Sequence, residues 1–146
     1  PWMGGGYNFN TLDFAVEADG PNWPNPPWST FLFRKLLENS NYQKRFINIF
    51  CDRFNSIFNS DHMINRLDSM ASNIQGVIPD HQNKWPDSAI DWGYHVKVIR
   101  TFAENRSEYM RNYLESFFDL SNLVQASFYS TSGGSIQINT IIIIYI

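Results

Sequence analysis

Apolar residues recur every three or four positions from residue 28 to residue 120, and this period predicts a run of helices. Ser29 or Thr30 is placed to cap a first helix reaching about Glu38, because a hydroxyl can accept the unpaired first-turn amides. Asn39-Ser40-Asn41 then breaks and recaps the chain. A second helix, about 41–58, puts Tyr42, Phe46, Ile49, Phe50, Phe54, Ile57 and Phe58 at helical spacing. Ser60 or Asp61 caps a third, whose stripe is Ile64, Leu67, Met70 or Ala71, Ile74, Val77 and Ile78. Pro79 either kinks that helix or starts a new turn carrying His81 and Trp85. After a connector at Trp85-Pro86-Asp87-Ser88, a fourth helix is expected over about 89–104. Asn105 to Ser107 is expected to cap a fifth, which uses Met110, Tyr113, Leu114 and Phe117.

Both flanks break the period. Residues 1–27 are rich in Gly, Asn and Pro, with Gly20-Pro21-Asn22-Trp23-Pro24-Asn25-Pro26-Pro27 near their end. Proline removes amide donors and restricts its neighbours, so this stretch is expected to be an ordered or extended loop, not a helix. Trp2, Trp23 and Trp28 border it, and rings in that number suit a loop pinned to a core. Past Leu120 the period falls to two. Ala126 to Tyr129 and Ser135 to Asn139 read as strands joined by Ser130-Thr131-Ser132-Gly133-Gly134. The apolar run Thr140 to Ile146 reads as a strand cut off from its partners, an aggregation-prone edge if exposed. Three segments are thus expected: a loop at 1–27, helices at 28–120, and a β segment at 121–146 that starts a following β domain.

Composition changes this picture in two respects. The 146 residues suffice for one domain with a real core, and the aromatic fraction of 16% makes that core ring-rich. The net charge of -3 and the scattering of the 11 Lys and Arg exclude nucleic acid as the default partner, which would need a basic stripe. Cys51, the single cysteine, rules out a disulfide within the chain and sits between Phe50 and Phe54 as a buried, inert thiol. No apolar run reaches the ~18 residues of a membrane helix. The opening Pro1-Trp2-Met3-Gly4-Gly5-Gly6 carries no start methionine, and the chain is expected to be a portion of a longer protein.

Candidate chemistry is sparse. Gly4-Gly5-Gly6 lacks the Lys-Ser/Thr ending of a phosphate loop and reads as a turn. His62, His81 and His95 have no zinc spacing, although His81, one turn before Trp85, could face a cleft. Asp13, Glu17 and Asp19 form a loop cluster able to hold a hard cation, but their spacing is irregular and suits a solvated loop. Taken alone, these residues describe a helical domain with an aromatic core and a pinned loop, and they supply no activity.

Tyr7-Asn8-Phe9-Asn10-Thr11-Leu12, followed by Trp23-Pro24-Asn25-Pro26-Pro27-Trp28-Ser29-Thr30, resembles the central region of CotH (spore-coat-protein-H-like) kinases. The resemblance continues through Leu32-Phe33-Arg34-Lys35-Leu36-Leu37-Glu38-Asn39, Phe46-Ile47-Asn48 and Arg53-Phe54-Asn55. Farther on it takes in His81 with Trp85, then Trp92, then Phe102-Ala103-Glu104-Asn105-Arg106, and covers about residues 7–120. It implies a mainly α fold, the C-lobe-like helical subdomain of an atypical protein kinase, with an extended N-terminal loop and a short C-terminal β segment.

The activity implied is ATP-dependent phosphoryl transfer to protein Ser/Thr, with ATP and Mg²⁺ as cofactors of the full-length parent. The parent's N-terminal lobe and a protein substrate are the implied partners, and an extracytoplasmic bacterial setting the implied location. The family's acidic metal-binding motif would lie before the Asn-Thr loop. Asp13-Phe14-Ala15 falls after it, so no catalytic or metal role passes to Asp13, and the chain alone is expected to be inactive. The resemblance puts Asn8, Asn10 and Thr11 at a cleft, with Arg34, Lys35, His81 and Arg106 as secondary phosphate or substrate contacts. For each of these the favoured reading is a structural one: anchoring a loop, capping a helix or solvating the surface. Trp23, Trp28, Trp85 and Trp92 are the expected structural anchors. The competing expectation is a non-catalytic scaffold or binding module of a bacterial surface or secreted protein.

Overall fold

The computed structural model describes residues 6–18, 26–86, 91–121, 127, 135–139 and 141–144. They form six helices and a hairpin: α1 (Thr11–Val16), α2 (Phe31–Leu36), α3 (Ser40–Asn55), α4 (Ser60–Gln75), α5 (Ile78–Lys84), α6 (Trp92–Phe118), β1 (Ser135–Ile138) and β2 (Ile141–Ile144). The fold is mainly α, as expected. The chain divides into two compact units, one of residues 1–9 and 56–109, the other of residues 10–55 and 110–146.

In the second unit, α1 corrects the expectation that residues 1–27 hold no helix. Asn10 caps it: its side-chain oxygen accepts from the Asp13 amide at 3.1 Å, while its side-chain nitrogen donates to the Asp13 carboxylate at 2.6 Å. This reciprocal cap, with Leu12 buried beneath it, outweighs the prolines farther along.

At α2 the hydroxyls do not cap. Thr30 Oγ1 accepts from Arg34 at 2.6 Å, and Ser29 Oγ donates to the Pro26 carbonyl at 2.8 Å. The recapping at Asn39 is observed, its side-chain oxygen accepting from the amides of Asn41 and Tyr42. From there α3 runs to Asn55, three residues short of the expected end.

The inward face of α3 is an aromatic ladder at four-residue spacing. Tyr42, Phe46, Phe50 and Phe54 stand with successive ring centroids 6.5, 5.6 and 4.7 Å apart. Phe46 also meets Phe33 of α2 at 5.4 Å and Phe118 of α6 at 5.9 Å, so three helices converge on one ring. Such offset and tilted ring pairs each add about 0.5–1.5 kcal/mol beyond area burial. Arg111 closes the ladder's far end, donating to the Phe54 carbonyl and the Asn55 side chain at the last turn of α3, whose carbonyls lie beyond the reach of the helix's own amides.

In the first unit, the cap of α4 is Asn59, whose side-chain oxygen accepts from the His62 amide at 2.8 Å, and not Ser60 or Asp61. Ile64, Leu67 and Ala71 are half-buried, and Ala71 takes the place that Met70 was a candidate for. Met70, Ile74 and Val77 lie exposed at the helix end. Pro79 starts a new helix, α5, within whose first two positions its missing amide is not needed.

The expected fourth and fifth helices are one, α6, of 27 residues. Asn105-Arg106-Ser107 does not interrupt it because each side chain has a partner other than a first-turn amide. Asn105 donates to the Thr101 carbonyl at 2.7 Å, and Ser107 Oγ donates to the Phe58 carbonyl. The helix ends where Asp119 takes a left-handed φ of 49° and the Leu120 amide reaches back to the Glu115 carbonyl at 3.0 Å.

The Ile-rich run is not cut off from its partners. β2 pairs antiparallel with β1 in the register Ser135↔Ile144 to Ile138↔Ile141, leaving a two-residue turn. Asn139 opens that turn with φ 51°, a conformation Asn tolerates, and donates to the buried Asp52 at 3.3 Å. Of the strand expected at 126–129 and its turn at 130–134, only Ser127 lies within the described residues.

Convergence of three helices on Phe46 makes it the residue whose loss the second unit should feel most. Phe46→Ala is expected to cost roughly 3 kcal/mol, a value at the low end for phenylalanine truncation because the ring is half-buried. A denaturant titration showing less than about 1 kcal/mol would contradict that role for the ladder.

Candidate functional site

The first unit carries a cavity of about 510 Å³. One wall is the face of α6 formed by Tyr94, Lys97, Val98, Thr101 and Phe102, spaced at three and four residues so that they share a side. The lip is Gly6 and Tyr7. Among the described residues its lining is overwhelmingly apolar, with Lys97 as the one charge and no carboxylate.

The lip is held from below. Phe9 donates its amide to the Gly6 carbonyl at 3.1 Å, closing a turn over Gly6–Phe9. One turn of α6 beyond Phe102, the Arg106 guanidinium donates through Nη1 to the Tyr7 carbonyl at 2.8 Å and to the Phe9 carbonyl at 2.6 Å. Arg106 is only 8% exposed, and its guanidinium lies 5.6 Å from the centre of the Phe102 ring. The Tyr7 ring packs on Tyr109 with centroids 5.5 Å apart. Charge-assisted donation to two carbonyls, together with the ring contact, offsets much of the cost of taking the guanidinium out of water.

Among the residues expected at a cleft, Arg106 is the one next to this cavity, and it acts on the backbone of the lip. Asn8 is exposed in the turn. Asn10 caps α1, and Thr11 Oγ1 donates to the Met110 sulfur at 3.6 Å. Arg34 donates to Thr30 Oγ1 and, at 2.7 Å, to the Pro27 carbonyl, stapling the turn before α2. Lys35 makes an exposed ion pair with Glu38, and His81 is exposed on α5. None of these six lines the cavity.

The anchor expectation is corrected at Trp28, 79% exposed, and at Trp85, 55% exposed with Lys84 over its ring. Trp92 is half-buried, and Trp23 lies outside the described residues. The true lining residues Tyr7, Tyr94, Lys97, Thr101 and Phe102 escaped sequence reading. The signal available was the spacing of 94, 97, 98, 101 and 102 on one helical face.

The acidic loop cluster lies only partly within the described residues. Asp13 is inside α1 and bonded to Asn10, and Asp19 lies outside the described residues. Among the described residues, no group of three or more His, Cys, Asp or Glu is arranged to hold a metal ion. Nor is any helix there long and apolar enough to cross a membrane. Burial, followed by the neighbouring Asp52 carboxylate, pushes the Cys51 thiol up from its ordinary value, against a smaller opposing pull from Arg111. Cys51 is therefore a poor nucleophile.

Comparison with known proteins gives the class. The CotH kinase protein family matches residues 4–110, a span that takes in the Gly6–Phe9 turn, the cavity wall and Arg106. The chain belongs to the CotH family. No curated protein and no solved structure matches it.

Two outcomes test this geometry. Arg106→Met keeps the apolar stem but leaves two carbonyls without their donor, and is expected to destabilise the protein by about 2–4 kcal/mol in a urea titration. A change under about 0.5 kcal/mol would mean that the clasp does not hold the turn. Cys51 should react with iodoacetamide at pH 8 more slowly in the native protein than in denaturant, because both burial and a raised thiol value deplete the thiolate. Equal rates would place the thiol in an open, unperturbed setting.

Proposed function

We propose that this chain is the helical part of a CotH-type atypical protein kinase, which transfers the γ-phosphoryl group of ATP to Ser or Thr of a protein substrate. The family match over residues 4–110 carries the proposal. In such chemistry the protein's work is positioning, and a bound Mg²⁺ would supply charge neutralisation. The described residues do not fit that metal. Among them no acidic cluster is arranged for it, and the described cavity residues include a single lysine and no carboxylate. The role assigned to these helices is therefore to hold and shape a binding surface, with Arg106 fixing the turn that enters it. Proton transfer and metal ligation are not assigned to any of the described residues.

The absence of a carboxylate among the described cavity residues favours a second reading, in which the chain is a non-catalytic helical binding module of a bacterial surface or secreted protein. Transfer of radiolabelled phosphate from Mg²⁺·ATP to a Ser/Thr-bearing protein separates the two. The product of the complete gene is expected to label the acceptor, and the 146-residue chain alone is expected not to. No label from the complete product would remove the kinase reading and leave the binding module.

A further inference from the structure

We propose that the cavity against α6 binds a small flat aromatic molecule carrying a single negative charge, such as an aryl carboxylate. This inference does not depend on the phosphoryl-transfer reading. Its size, about 510 Å³, is that of ordinary small-molecule sites, which are mostly apolar with a few placed polar groups.

Three rings line it, Tyr7, Tyr94 and Phe102, and rings prefer an aromatic guest in tilted or offset contact. Lys97 sets the sign. Among the described lining residues no carboxylate neutralises its ammonium, so an anion is attracted and a cation repelled. Thr101 adds one hydroxyl that can donate to a carboxylate oxygen.

The site is also built in advance. Tyr7 is fixed through its carbonyl by Arg106 and through its ring by Tyr109, so a guest meets a lip already in place and the ordering cost of binding falls. A metal–nucleotide is a poor match. It brings several charges to a cavity whose described lining holds one cation, and a metal to described lining residues without a carboxylate.

Calorimetric titration of the 146-residue chain with 2-naphthoate, 2-naphthol and adenosine monophosphate tests the assignment. The naphthoate is expected to bind saturably, with a Kd of roughly 0.1–1 mM for a ligand of that size. The neutral naphthol should bind more weakly. Lys97→Met should weaken naphthoate about tenfold while leaving naphthol within about twofold, the signature of one charge contact. Lys97→Glu should abolish naphthoate binding, and Phe102→Ala should weaken both ring compounds. Lys97 is exposed, so its variants are expected to keep the native far-UV circular dichroism.

Absence of saturable naphthoate binding, equal affinity for naphthol, or indifference to both Lys97 variants would overturn the proposal. So would tighter binding of adenosine monophosphate than of naphthoate, which would make the site a nucleotide's. Phosphate labelling by the complete gene product is a separate readout, so failure of either reading leaves the other standing.

Discussion

A guanidinium removed from water must be given acceptors, and in the first unit Arg106 takes them from the backbone. Its two bonds to the Tyr7 and Phe9 carbonyls join residues nearly a hundred positions apart in sequence. The Gly6–Phe9 turn closes with a single backbone hydrogen bond of its own between Phe9 and Gly6. Without the arginine, a short turn of this kind would sample many conformations, since fixing each residue's backbone costs roughly 1–2 kcal/mol. Arg106 holds the backbone of Tyr7 and Tyr109 holds its ring, and together they keep the lip of the cavity in place.

The second unit is stabilised differently. Its closely buried apolar residues are few, Leu12, Leu37, Met110 and Leu114, and the rings of α3 are half-buried instead of sealed. Stability there comes from a ladder of ring contacts, with side-chain amides and one arginine closing the helix ends. Polar side chains do structural work throughout. Asn10, Asn39 and Asn59 start helices, and Asn139 ties the hairpin turn to the buried Asp52. The abundance of asparagine in the sequence thus has a local explanation at four positions.

Much of this was legible in the sequence, and the failures have physical causes. The four-residue spacing of Tyr42, Phe46, Phe50 and Phe54 predicted α3 and its buried face, and Pro79 marked the start of α5. Helix α1 escaped because the nearby prolines dominate the composition, although Asn10 and Asp13 already had cap spacing. The break expected at Asn105-Arg106-Ser107 was a misreading of polarity. Three polar residues in a row look like a cap until their side chains are seen bonding to Thr101, to the Gly6–Phe9 turn and to Phe58. The hairpin was missed because Ser135 to Asn139 was paired with the upstream segment 126–129, which left the Ile run without a partner. The cavity was least legible, since Tyr7 and the 94–102 face meet only through the fold, and no local pattern encodes that meeting.

The clasp and the cavity wall share one uninterrupted helix, and this sets a constraint on length. Each helical residue turns the chain by about 100°, so one residue inserted or deleted between Phe102 and Arg106 would swing the guanidinium a quarter-turn or more from the carbonyls it holds. The wall would keep its composition and still lose its lip. Along this stretch of α6, side chains can be exchanged one for another far more readily than the number of residues can change.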